Sequence, residues 1–254
     1  MSFHKIKSYA KINLTLNITG KDSLLHKIES IIMFTALHDE ILIKTIKSDN
    51  HDISFFGKFS QGINNKNTVT KLLNILENKE LLKDKKFRIK INKKIPIKAG
   101  LGGGSMNAAN ILKYLIKKKI VKVSKREISE ICKLIGSDVI LGLKSVNSIL
   151  TSKNKIKYFK NTQKFNILII RPNFGCNTKK IYSYVNKFNR PKLNKPNKKM
   201  FETEFLIKNN NFLESFAFSK YPKLKILKIY LEKELRPTFA RMTGSGSAIV
   251  AYFN

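Results

Sequence analysis

Apolar and polar positions alternate through residues 5–18, a stretch rich in Ile, Leu and Thr, and the same texture returns through residues 28–46. Alternation with period two turns one face of an extended chain inward. Both stretches therefore predict strands or hairpins, the second folding about a turn at His38-Asp39-Glu40. The period then changes: Val69, Leu72, Leu73, Ile75 and Leu76 recur at helical spacing within residues 67–82, with Asn67 placed to cap them. Residues 87–91 alternate as a strand. Ala108, Ile111, Leu112 and Leu115 put one apolar stripe on a helix over 105–118. Ser124, with Glu127 three residues on, opens another helix through a capping box, and it stops near Gly136. Short strands are predicted at 147–151, 155–159 and 165–171, and helices at 179–187, 200–208 and 222–234, around a Pro- and Lys-rich loop at 189–199. Two last strands, 238–242 and 247–253, flank a Gly244-Ser245-Gly246 turn.

Strands mixed with helices make this an α/β (α+β) chain, although their order alone admits more than one plan of that class. Its 254 residues suit one large or two small domains, with a boundary near residue 155. Composition sets several chemistries aside. Cys132 and Cys176 are too few for a disulfide framework and match no metal-ligand spacing, which points to a reducing, cytoplasmic setting. His4, His26, His38 and His51 are scattered with no zinc pattern, so no protein-held metal is expected. No apolar run approaches the ~20 residues of a membrane helix, so no membrane partner is expected.

The net charge of +33 raises a polyanion as partner. Of the 50 basic residues, however, 44 are Lys and 6 are Arg, and they are spread over the whole chain. Surfaces that read nucleic acid favour the bidentate Arg fork. The excess reads as compositional drift, with no specific nucleic-acid partner, and some of it is left to serve an anionic small molecule.

The sharpest local feature is IPIKAGLGGGSMNAA at residues 95–109. Four glycines within five positions strip the Cβ atoms from one face of a loop, so that consecutive backbone N–H groups can converge on an anion. The loop opens into a helix, whose free N–H groups and positive dipole end favour phosphate. Ser105 stands at the helix start, either as its cap or as a donor to a phosphate oxygen. No Gly-Lys-Ser/Thr ends the loop and no GxGxxG spacing is present, which sets aside a Walker A loop and a dinucleotide fold. Two charged residues lie in apolar surroundings. Asp138, in IGSDVILGL, is either a turn or N-cap aspartate or a working carboxylate. Lys11, inside a strand-like run, must snorkel or meet a partner.

SYAKINLTLNITG at the start, PIKAGLGGGSMNAA, IGSDV and RMTGSGSA follow in the order and spacing of the GHMP kinases, which the chain resembles over nearly its whole length. The AKINL opening, the GGGS-x-N-A-A ending and NFLE at Asn211 to Glu214 are similar to the branch acting on a cytidine-diphosphate-linked methylerythritol. The resemblance implies two lobes: residues 1–155 as an ATP-binding lobe like the second domain of ribosomal protein S5, and residues 156–254 as a ferredoxin-like lobe, with the acceptor between them. It implies a monomer or weak homodimer that uses ATP and Mg2+ to phosphorylate the acceptor's 2-hydroxyl. Asp138 matches the catalytic aspartate, Lys11 the lysine holding that hydroxyl and aspartate together, and Asn13 lies beside it. Ala99, Gly100, Leu101, Gly102, Gly103, Gly104 and Ser105 match the segment around the ATP phosphates, with Lys93 nearby. His26 matches the histidine that meets cytosine. Thr178 and Tyr182 fall at a polar contact and an aromatic stacker, and Gly244 and Ser245 lie in a turn that closes on the site.

The chain departs from that pattern in places. Leu25 stands where a tyrosine is expected to stack on cytosine, at a cost of part of ~1–3 kcal/mol. Met106 replaces a serine, removing a hydroxyl beside the phosphates; Ile140 replaces a proline; and the chain stops at Asn254, where such kinases usually run on. These changes keep two alternatives open: a kinase for another small alcohol, mevalonate- or homoserine-like, and a basic RNA-binding or inactive relative.

Overall fold

The computed structural model describes residues 2–22 and 26–254, so Leu25 lies outside the described residues. Two compact units are interleaved along the chain. The first takes Met1–Ala10, Thr35–Ile97 and Gly102–Ser145, the second Lys11–Phe34, Lys98–Leu101 and Val146–Asn254. Compactness therefore does not cut the chain once near residue 155. The two long strands β1 (His4–Lys21) and β2 (His26–Ile46) each serve both units.

In the first unit, the later half of β2 pairs antiparallel with β4 (Lys86–Asn92), which pairs parallel with β3 (Asp52–Phe56). Ile41, Ile43, Ile89 and Ile91 face inward at period two. They meet Leu72, Leu73 and Leu76 of α1 (Thr68–Asn78), Ile111, Leu112 and Leu115 of α2 (Gly103–Lys117), and Ile131 and Ile135 of α3 (Lys125–Ile135). A four-residue helix α4 (Val139–Gly142) closes this unit's core. In the second unit, β2 pairs with β5 (Ser148–Leu150), and β5 with β6 (Ile156–Tyr158), all antiparallel. A separate antiparallel sheet runs β7 (Asn166–Ile170), β9 (Ile249–Phe253), β8 (Phe239–Met242). Leu213, Ala217, Leu224 and Leu231, from α7 (Glu214–Lys220), α8 (Pro222–Leu235) and the turn before α7, pack with Met242, Ile249 and Ala251. The short helices α5 (Thr178–Ser183) and α6 (Thr203–Ile207) complete the unit.

Local signals set several boundaries. Asn67 accepts from the amides of Val69 and Thr70, and Ser124 and Glu127 form both bonds of the capping box, with Gly136 ending α3. Four expectations change. No turn exists at residues 38–40, because Asp39 is fully buried and its carboxylate is saturated by donors in place of water, so β2 runs straight through. Helix α2 begins at Gly103, capped by left-handed Gly102, so Ser105 is not its cap. The helix expected at 179–187 ends at Ser183, and the one at 200–208 splits into a 3-10 turn (Lys198–Phe201) and α6, because Glu202 is extended. β3, α4 and α7 are additions to the expected elements.

Candidate active site

The glycine-rich segment builds two different things. From Gly103 it is helix α2, and the amides of Gly103, Gly104 and Ser105 lie in the first turn, where no carbonyl of the helix reaches them. α1 and α3 have side-chain caps, whereas α2 has none. Its positive end is thus presented by backbone alone, at glycines. The fit there is tight: a Cβ on Gly103 would stand 3.0 Å from Ile95 Cγ2 and 3.2 Å from Lys93 Nζ, and these side chains would have to give way.

Lys93 lies directly behind this first turn, almost wholly buried, with its ammonium on the carboxylate of Asp39. Burial pushes the Lys93 ammonium below its ordinary value, while the Asp39 charge pulls the other way. The other Asp39 contacts come from the amides of Lys94 and Ile95, both at 2.8 Å, and from Asn107 Nδ2 of α2 at 2.9 Å. One carboxylate therefore ties the end of β4 to α2. Met106, expected beside the phosphates, is fully buried with its sulfur against Gly142, so this substitution faces the core. Asp138, also of the first unit, is half-buried at the N-cap position of α4. It sits in the turn that opens α4, its carbonyl accepting the Leu141 amide (3.2 Å) and its side chain making no capping bond.

The preceding residues, Lys98–Leu101, belong to the second unit and are stitched to the late glycine turn. Ser247 and Ala248 donate their amides to the carbonyls of Lys98 and Ala99 (3.3 and 3.1 Å), and the Thr243 hydroxyl donates to the Gly100 carbonyl (3.3 Å). Gly100 has φ +76°, and a Cβ there would collide with the Thr243 carbonyl, so only glycine fits. Lys11 enters the same cluster. Its amide donates to the Leu101 carbonyl (3.1 Å) and its ammonium to Asn13 Oδ1 (2.7 Å). Asn13 in turn donates its amide to the Thr243 hydroxyl (3.0 Å) and its side chain to Ser30 (2.8 Å). Gly244 faces both Gly100 and Asn13. Lys11, Asn13, Ala99, Gly100, Leu101 and Gly244 are thus neighbours around Thr243.

Two further expected pairs meet in this unit. Thr178, opening α5, shares a 2.8 Å hydrogen bond with Ser245. His26 lies 5.2 Å, ring to ring, from Tyr182 and 6.4 Å from Phe188. Burial, with Lys21 assisting, holds the His26 imidazole below its ordinary value, so it is neutral near pH 7, and its buried Nε2 has no hydrogen-bond partner among the described residues. Asp39, Asn107, Thr243 and Phe188 were not expected at the site. Thr243 was within reach, since it precedes the glycine turn already singled out.

Residues 67–148 match the family model described as the GHMP kinases N terminal domain. A 4-diphosphocytidyl-2-C-methyl-D-erythritol kinase from Pelagibacter ubique is 54% identical over all of this chain and 90% of its own length. The chain belongs to the 4-diphosphocytidyl-2-C-methyl-D-erythritol kinase family. A second member, from Petrotoga mobilis, is 32% identical over 98% of this chain and 99% of its own length. The fold agrees with that membership. A crystal structure of 4-(cytidine 5'-diphospho)-2C-methyl-D-erythritol kinase superposes with a TM-score of 0.77 at 23% identity, covering 98% of this chain and 90% of that one. A mevalonate kinase crystal structure gives 0.62 at 17% identity, covering 99% and 91%. This is the GHMP kinase fold.

Proposed function

We propose that this protein transfers the γ-phosphoryl group of ATP to the 2-hydroxyl of 4-diphosphocytidyl-2-C-methyl-D-erythritol, a step of the non-mevalonate route to isoprenoid precursors. The observation that carries this reading is the 54% identity, over the entire chain, to a relative of that name. In functional terms, residues 1–155 are the ATP-binding part and 156–254 the remainder, supported by the position of the family match at 67–148. The two buried, unbridged cysteines suit a reducing cytosol.

The roles follow the family resemblance, with which the chemistry of the residues is consistent. The first-turn amides of α2 at Gly103, Gly104 and Ser105 hold phosphate oxygens, with the preceding residues Ala99 to Gly102 shaping the loop and Lys93 behind it. Among the described residues no group of three or more His, Cys, Asp or Glu side chains gathers to hold a metal. A magnesium ion would be carried on the nucleotide's phosphates, with the Ser105 hydroxyl as a protein oxygen, and would there offset phosphate charge. Asp138 orients the acceptor hydroxyl and takes its proton as oxygen bonds to the γ-phosphorus and the bond to ADP breaks. Lys11, fixed by Asn13, stabilises the negative charge that develops on that oxygen. His26 and Tyr182 take the cytosine, and Thr178, Gly244 and Ser245 contact the acceptor.

Purified protein given ATP, Mg2+ and the cytidine-linked acceptor is expected to release ADP. Asp138→Ala should lower that rate by about 10²–10⁴-fold. An unchanged rate would remove Asp138 from its role, and preference for mevalonate or homoserine in an acceptor panel would overturn the substrate.

A further inference from the structure

The NFLE segment is used nowhere in the chemistry above, yet its polar side chains reach the late glycine turn. Asn211 is 1% exposed and makes three side-chain hydrogen bonds. Its Nδ2 donates to the carbonyls of Met242 (2.8 Å) and Gly244 (2.7 Å), and its Oδ1 accepts the Leu213 amide (3.0 Å). Glu214 accepts the Met242 amide at 2.6 Å. The two side chains thus grip both sides of Thr243, whose hydroxyl joins Asn13 to Gly100. Carbonyl oxygens pointing together repel one another unless a donor lies between them. Asn211 is that donor, and its burial keeps bulk water from the two carbonyls it serves.

We propose that Asn211 and Glu214 are positioning residues for phosphoryl transfer. They clasp the late turn from behind, and so set Thr243 and Gly244 against the lysine-bearing strand at Asn13 and against the phosphate loop at Gly100. The proposal rests on the kinase reading, because it assigns what these two contacts are for. Misplacement of a reacting group by about 1 Å costs up to about 10²-fold in rate. The effect is therefore expected in kcat more than in either KM.

The test compares Asn211→Ala, Glu214→Ala and Glu214→Gln with the parent protein by steady-state kinetics, thermal melting and hydrogen–deuterium exchange. Asn211→Ala and Glu214→Ala should lower kcat about 10-fold or more, with each KM within about threefold. Glu214→Gln keeps an acceptor for the Met242 amide and should restore kcat to within about twofold of the parent. Exchange should quicken at residues 11–15 and 243–248 in the alanine variants and stay at the parent rate in Glu214→Gln. A purely structural role predicts lower melting temperatures with kcat per folded molecule unchanged, and that result overturns the proposal. Parent-like exchange at 11–15 in folded Asn211→Ala overturns it whatever the activity. If Asn211→Ala fails to fold, the Glu214 pair decides. Absence of acceptor-dependent ADP release from the parent protein would defeat the kinase reading instead, and the exchange comparison would still judge the clasp.

Discussion

Asp39 shows how much one side chain can decide. In sequence it reads as the middle of a turn, because a charged triplet interrupts an apolar alternation. In the fold it has no exposure, and its charge is answered by Lys93, by Asn107 and by two backbone amides. Removing one member of such a pair leaves an uncompensated buried charge, at about 3–5 kcal/mol. Asp39→Ala is therefore expected to lower unfolding free energy by about that much in urea titrations, and adding Lys93→Met should recover part of the loss. A change below about 0.5 kcal/mol, as at an ordinary surface site, would mean the pair holds nothing. The donors to Asp39 lie 54 to 68 positions away, so no local pattern contains them. Lys11 and Asp138 were legible for the opposite reason: a charge inside an apolar run is a local anomaly.

At the scale of elements, what was legible follows the range of the forces. α1, α3 and β4 are set by near neighbours: an N-cap two or three residues from its donors, a stripe at 3.6 residues, an alternation at two. Ser124→Ala removes one bond of the capping box on an exposed helix start. It should cost about 1 kcal/mol, read as a shift in urea midpoint at constant slope, with ADP affinity unchanged. A loss of affinity would mean that α3 bears on the nucleotide. α2 begins two residues earlier than its apolar stripe indicates, because Gly102 adopts φ +70° and turns the chain into the helix there. The earlier start leaves backbone amides, without a side-chain cap, at the positive end, and Met106 is buried because α2 is packed on nearly every side and not only along its apolar stripe. The long strands were legible as extended chain but β2's continuity was not, since a strand that continues and one that turns share the same alternation until a partner strand is present.

At the scale of the molecule, the charge of +33 now has few specific duties. The Lys11 ammonium is held by Asn13, and that of Lys93 is already neutralised by Asp39. The remaining excess acts at long range, where it attracts a nucleotide triphosphate and a diphosphate-linked acceptor, and salt screens it over ~10 Å at 0.1 M. kcat/KM for ATP should fall at least about threefold between about 0.02 and 0.3 M KCl, with kcat nearly constant. A flat profile would leave composition as the whole explanation of the charge. The sequence by itself determined the α/β class, the capped helices, the phosphate-type loop and the family, because each is written in residues close together or in motifs whose order survives without coordinates. Only the tertiary structure decided that β2 runs unbroken past Asp39, that Met106 faces the core, and that Asn211 and Glu214 hold the late turn. Those outcomes depend on packing and hydrogen-bond partners tens to hundreds of residues apart, which meet only once the chain has folded.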